Sequence, residues 1–176
     1  MQHPARFSLF LIILAIFFVP NGTLAEDYRD TLTLDNIVEY TIYSKGSMTI
    51  SEDKRTHTHY PSDGGIIKVQ YSTMNSNTDY DELYAYSVAF PAFKKIMLDV
   101  LYQSNQTSEK ELICGGYYAL RLSFDYIGEE NDAISEEAYL ILTPKHVIVL
   151  RFISSDAIGS PPIENVLYTL ASLKFL

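Results

Sequence analysis

Apolar residues recur along this chain with two different periods, and the change from one to the other outlines the fold. Residues 37–43 read Ile-Val-Glu-Tyr-Thr-Ile-Tyr, a β-branched and aromatic run closed by Gly46, and they predict a strand. Shorter strands are expected over 48–50 and 55–60. Pro61-Ser62-Asp63-Gly64-Gly65 marks the next turn, and 66–72 is a further alternating run. From Asp79 the spacing becomes helical: Leu83, Tyr86, Phe90, Phe93, Met97, Val100 and Leu101 share one stripe, while Glu82, Lys94 and Lys95 fall largely elsewhere. Thr78 or Asp79 can cap its start, and Asp81 and Glu82 suit the positive end of the helix dipole. Pro91 lies inside this helix, where it removes a backbone bond and clashes with the preceding turn, so a kink or a junction of two helices is expected near Phe90.

Residues 103–110 are polar and read as a loop. Three strongly alternating segments follow, at 112–126, 135–142 and 146–154. The gap between the last two is only Thr143-Pro144-Lys145, which admits a tight hairpin and hence antiparallel pairing. Pro161-Pro162 fits a helix start, Ile163, Val166, Leu167 and Leu170 make a short apolar face, and 173–176 can close as an edge strand. The sum is an α+β domain with an antiparallel sheet flanked by helices, and neither repeats nor linker-like tracts divide it.

The N-terminus has a different character. Arg6 supplies a positive flank, and residues 7–19 are apolar except for Ser8. These 13 residues are too few for a bilayer span, which needs about 20, but they match the core of a signal peptide. Pro20, Asn21 and Gly22 break the helix, and Thr23-Leu24-Ala25 resembles a cleavage site. The expected division is a signal peptide over 1–25 and a single domain over 26–176, periplasmic or secreted and not inserted in the membrane after cleavage. Removing Arg6 takes the formal charge from −9 to −10, which repels phosphate backbones and argues against nucleic acid as a partner. Cys114, the sole cysteine, has no intramolecular disulfide partner and reads as a small buried hydrophobe. Asn105-Gln106-Thr107 fits the N-glycosylation pattern, with modification depending on the organism.

Gly115-Gly116-Tyr117-Tyr118-Ala119, Ala138-Tyr139-Leu140-Ile141-Leu142, Val147-Ile148-Val149-Leu150-Arg151-Phe152 and Leu170-Ala171-Ser172-Leu173-Lys174-Phe175 together resemble the PsbP-like and DcrB-like superfamily. The resemblance covers residues 112–176, with the helix at 79–103 in the expected place. It implies an α-β-α sandwich and a non-enzymatic accessory or binding domain on the outer side of a membrane, its partner another envelope or extracellular protein.

Candidate chemistry is sparse, and no cofactor motif is present. His57 and His59 lie two apart, so on a strand they share a face and are the metal-ligating candidates, with a metal or small-ligand carrier as the function they would serve and an exposed polar strand as the alternative. No Gly-x-Ser-x-Gly motif marks a hydrolase, and His146 reads as a turn residue; a hydrolase site assembled from distant positions stays open as an alternative function. Glu129-Glu130-Asn131-Asp132 and Glu136-Glu137 read as a solvated acidic hairpin, because Gly128 precedes the cluster and does not lie within it as a calcium loop requires. The chain has 14 tyrosines and no tryptophan, and Tyr80, Tyr84, Tyr117 and Tyr118 are the candidates for a partner-binding patch.

Overall fold

The computed structural model describes residues 29–74, 84–101, 104–128 and 130–176. β1 (Asp30–Leu34) and β2 (Val38–Ile42) form a hairpin whose turn holds Asp35 and Asn36 at positive φ, 47° and 55°, a conformation these side chains tolerate. The chain's last strand, β10 (Lys174–Phe175), pairs with the other side of β2 to complete a three-stranded sheet, order β1-β2-β10. The larger sheet has seven antiparallel strands. They are β3 (Gly46–Ile50), β4 (Thr56–Pro61), β5 (Ile66–Thr73), β6 (Asn105–Cys114), β7 (Tyr117–Ile127), β8 (Ala133–Leu142) and β9 (His146–Ser155), in the order β3-β4-β5-β9-β8-β7-β6. A π-helical turn, Ala85–Ala89, leads into α1 (Phe90–Val100), and α2 (Ile163–Ala171) precedes β10.

The alternation of side chains along β5, β7, β8 and β9 feeds two cores, one on each face of the large sheet. On one face Ile67, Val69, Tyr139, Ile141, Ile148, Leu150 and Phe152 meet Leu34, Val38, Tyr40 and Ile42 of the small sheet and Val166 of α2. On the other, Leu120, Leu122, Phe124, Ala138, Leu140 and Leu142 meet Ala85, Phe90, Met97 and Leu101. The large sheet is therefore the middle layer, with the small sheet and α2 on one side and α1 on the other. This is the α+β architecture that the order of elements predicts.

Several local expectations are corrected. Residues 112–126 are not one strand: Gly115 and Gly116, both at positive φ (57° and 87°), turn the chain between β6 and β7, and a Cβ on Gly115 would come within 2.6 Å of the Phe175 ring. Of residues 103–110, expected as a loop, 105–110 are the start of β6, whose polar composition reflects its place at the sheet edge. On α1, Val100 is 70% exposed and leaves the core stripe, and on α2 Ile163 and Leu167 point outward while Val166 is buried. Near Pro91 the irregularity falls as expected, but in the form of the π-turn: Phe90 N–H bonds Ala85 O five residues back, just before the proline that has no N–H to offer. The expected signal peptide over 1–25 and the expected helix start at 78–83 lie outside the described residues.

Glu136 and Glu137 are not a solvated pair. They alternate to opposite faces of β8, and since both faces are covered, each meets an arginine. The Glu136 carboxylate accepts from Arg151 Nε at 2.5 Å, Arg151 Nη2 at 2.8 Å and Tyr126 Oη at 2.9 Å, and it is almost fully buried. Glu137 accepts from Arg121 and, at 2.9 Å, from Tyr139 Oη. A carboxylate this deep is stable only with its partners. Glu136→Ala, which leaves Arg151 half-enclosed without its anion, is expected to lower unfolding free energy by about 3–5 kcal/mol in urea titrations, and a loss below about 1 kcal/mol would contradict the burial described here.

Candidate functional site

β4 places His57 and His59 on its inner face, opposite Tyr40 of β2, because alternate residues of a strand share a side. Both imidazoles are only 6% exposed, so the reading of an exposed polar strand does not hold. The Tyr40 hydroxyl lies 2.7 Å from His57 Nδ1 and 2.8 Å from His59 Nε2. A hydroxyl has one proton, so it donates to one ring and accepts N–H from the other; the rings therefore hold complementary protonation at the two atoms facing the tyrosine. Burial pushes the Tyr40 phenol up, depresses His57, and together with neighbouring His57 lowers His59 to about 4. Asp30, at the start of β1, acts weakly in the opposite sense on His59. The three rings form a neutral polar knot that ties the small sheet to the large one. Two imidazole nitrogens and one phenol oxygen are what this point offers an ion; among the described residues no group of three or more His, Cys, Asp or Glu stands together as a metal site.

Two clefts among the described residues hold apart the groups a hydrolase would need to bring together. Next to His146 lie Tyr117, Thr143, Lys145, Phe175 and Leu176, with no Ser, Cys, Asp or Glu side chain in the lining. A larger cleft of about 300 Å³ at the N-terminus of α2 contains Ser123, Ser154, Asp125 and Glu137 but no histidine. A small hollow of about 50 Å³ does combine Asp30, Ser44, Ser47 and His59. There, however, His59 Nε2 is engaged by Tyr40, and Ser44 Oγ donates to Asp63 at 2.5 Å. Cys114 is half-buried against the first core, and burial raises its thiol above the usual value, which keeps it protonated and unreactive at neutral pH.

The tyrosine candidates divide. Tyr80 lies outside the described residues. Tyr117 and Tyr118 point to opposite faces of β7, yet both are half-buried, Tyr117 edge-on to Phe175 at 5.0 Å and Tyr118 against Tyr86 at 6.0 Å. Tyr84 is half-buried where the helical segment begins. Beyond it, α1 turns Ala92, Ile96 and Val100 outward at four-residue spacing, and Val88 precedes them by one step. Val88, Ile96 and Val100 are 48%, 57% and 70% exposed, and Lys95 and Asp99 flank them. The apolar period of this helix thus continues past the core stripe, a feature hidden in the sequence because both faces use the same residue types.

No protein-family model matches the chain, and no curated protein matches it in sequence. Solved structures do. The cyanobacterial PsbP of Synechocystis sp. PCC 6803 superposes with a TM-score of 0.59 over 92% of this chain and 99% of that one, at 11% identity. The fold is the one that this PsbP has. LpqN of Mycobacterium tuberculosis, described as involved in cell envelope biogenesis, shares this PsbP-like fold with a TM-score of 0.57 at 12% identity, over 85% of this chain and 91% of that one. The Saccharomyces cerevisiae Ran-binding protein Mog1p matches with a TM-score of 0.52 at 8% identity, over 85% and 96%. The chain spans only 45% of the length of a Bacteroides thetaiotaomicron protein that it also matches, with a TM-score of 0.54 at 10% identity.

The buried knot makes a pH prediction. His57 and His59 have folded pKa values below the unfolded one, so the unfolded chain binds more protons as pH falls; their stabilisation is complete above about 6.5 and is lost as pH drops toward 4. His59 alone should tilt the stability curve by up to roughly 1.4 kcal/mol per pH unit across that window. His59→Gln should flatten the curve between pH 6.5 and 5 in denaturant titrations. Tyr40→Phe should cost about 1–3 kcal/mol at neutral pH, since it leaves both rings without their partner. An unchanged slope in His59→Gln would show that the ring is not buried as described.

Proposed function

We propose that this chain is an exported, non-enzymatic accessory domain, periplasmic or secreted, that works by binding another envelope or extracellular protein through the outer face of α1. The observation that carries the reading is the row of apolar side chains at Val88, Ile96 and Val100, more exposed than solubility alone explains on a helix whose opposite face is already buried. Helices recognised in this manner present anchors at three- and four-residue spacing. The formal charge of −9 favours a partner whose apolar contact face carries a basic rim and disfavours nucleic acid. No described helix is long and apolar enough to cross a membrane, in keeping with action beside a membrane by a processed domain. LpqN and Mog1p, one tied by its description to the cell envelope and the other to protein binding, lend the reading support by analogy of fold.

Two outcomes follow. Protein recovered from the outer side of the membrane should begin at Glu26, which intact-mass measurement checks; a mass that retains residues 1–25 would remove the exported, processed form. In quantitative capture from the native envelope fraction, a stoichiometric partner held by the wild type should be lost with Ile96→Lys and Val100→Lys. Stability should change by less than about 0.5 kcal/mol, since both positions are on the surface. The same partner should be retained with Asp156→Lys in a distant loop. Equal capture by all variants, or none by the wild type, would sink the docking reading.

A further inference from the structure

The two edges of the seven-stranded sheet are built differently. β6 carries Glu109, Lys110 and Glu111 in a row and is bulged between Gln106 and Ser108, two devices that stop another strand from adding to an edge. β3 has neither. Its sequence, Gly-Ser-Met-Thr-Ile, contains no charge and no proline, its pairing with β4 is regular from Gly46 to Ile50, and all five residues are exposed. Met48 and Ile50, 38% and 52% exposed, share the face that carries His57 and His59 farther in. Flanking bonds settle which backbone groups point outward. Ser51 N–H bonds Thr56 O and Ser62 N–H bonds Lys45 O, so in the alternation of an antiparallel pair the odd-numbered residues face β4. Gly46, Met48 and Ile50 therefore turn their N–H and C=O groups to the open edge.

We propose that β3 is a self-association edge, with the β3 of a second copy of this chain pairing antiparallel to it across a two-fold axis at Thr49. That register uses only outward-facing backbone groups, because Met48 of one copy exchanges bonds with Ile50 of the other, and the reverse. It sets the apolar side chains of Met48 and Ile50 opposite each other and Thr49 opposite its own copy, both favourable cross-strand combinations. Charge fits as well. Lys45 lies just before β3, and Glu52 and Asp53 lie just after it, all exposed. Antiparallel pairing brings each copy's Lys45 to the other copy's Glu52–Asp53 turn, two opposite-charge meetings per dimer in a chain that otherwise repels itself through a net charge of −9. The association uses the edge strand and leaves the outer face of α1 free.

Sedimentation velocity over a dilution series, on protein produced from the full-length sequence and purified as the cell leaves it, tests this. The expected result is a species of doubled mass that dissociates on dilution. Met48→Pro removes one outward N–H without touching the bonds to β4 and should return the monomer mass, with circular dichroism confirming the fold. Ile50→Lys, a milder surface change, should do the same. Lys45→Glu should weaken the dimer roughly tenfold through its two charge meetings, and Glu52→Lys added to it should restore affinity. A monomer at every concentration overturns the proposal. So does a dimer indifferent to both Met48→Pro and Ile50→Lys.

Discussion

Everything in this fold depends on a sheet whose central strands are apolar on both faces. β8 has an unbroken buried run from Ala138 to Leu142; beside it β9 buries Ile148 and Leu150 on one face with Val147 and Val149 half-buried on the other, and β7 buries Leu120 and Leu122 on one face and Ala119 on the other. Such strands cannot leave either side in water, so the chain must supply two covers. It supplies them from opposite directions in sequence: α1 from the middle for one face, and the N-terminal hairpin β1–β2 locked by the C-terminal β10 for the other. The small sheet thus ties both ends of the described chain to a single layer, which is why a two-residue strand at residues 174–175 matters to the whole.

The same constraint explains the polar chemistry. A polar group on a doubly covered sheet is wholly or largely withdrawn from solvent, so it is matched inside. Glu136 finds Arg151 and Tyr126 on the α1 side, Glu137 finds Arg121 and Tyr139 on the other, and the His57–Tyr40–His59 knot joins the small sheet to β4. These are the groups that a search for catalysis would select first, and each is engaged in holding a layer. What the covers leave outside is a different set: the apolar outer row of α1 and the bare β3 edge.

Much of this was legible in the residues. Period-2 alternation located β2, β4, β5, β8 and β9 closely, and the short gap at Thr143-Pro144-Lys145 correctly required the β8–β9 hairpin. Edges were less legible than interiors, for a physical reason. An edge strand with one solvated side needs no apolar pattern, so β6 looked like a loop over much of its length, and β1, whose Asp30 and Thr31 are exposed, was not anticipated at all. Pairing across the fold was invisible for the same kind of reason: nothing local links Tyr40 to His57 or Glu136 to Arg151. The spacing of His57 and His59 gave their shared face, but only the neighbouring layer gave them Tyr40. On α1 the apolar period outruns the core, so spacing alone puts Val100 on the inward stripe although it belongs to the one that faces out.

Native-state hydrogen exchange, read amide by amide at low denaturant, tests the doubly covered sheet most directly. Amides of β8 and β9 between the two cores, such as Leu140, Ile141, Ile148 and Leu150, should exchange only by global unfolding. Those of β1, β2 and α1 should open at lower free energy, as separable covers on an intact middle layer. If β8 and β9 amides exchange as readily as those of the covers, or if the small sheet proves the slowest part, the sheet is not the element on which the rest depends.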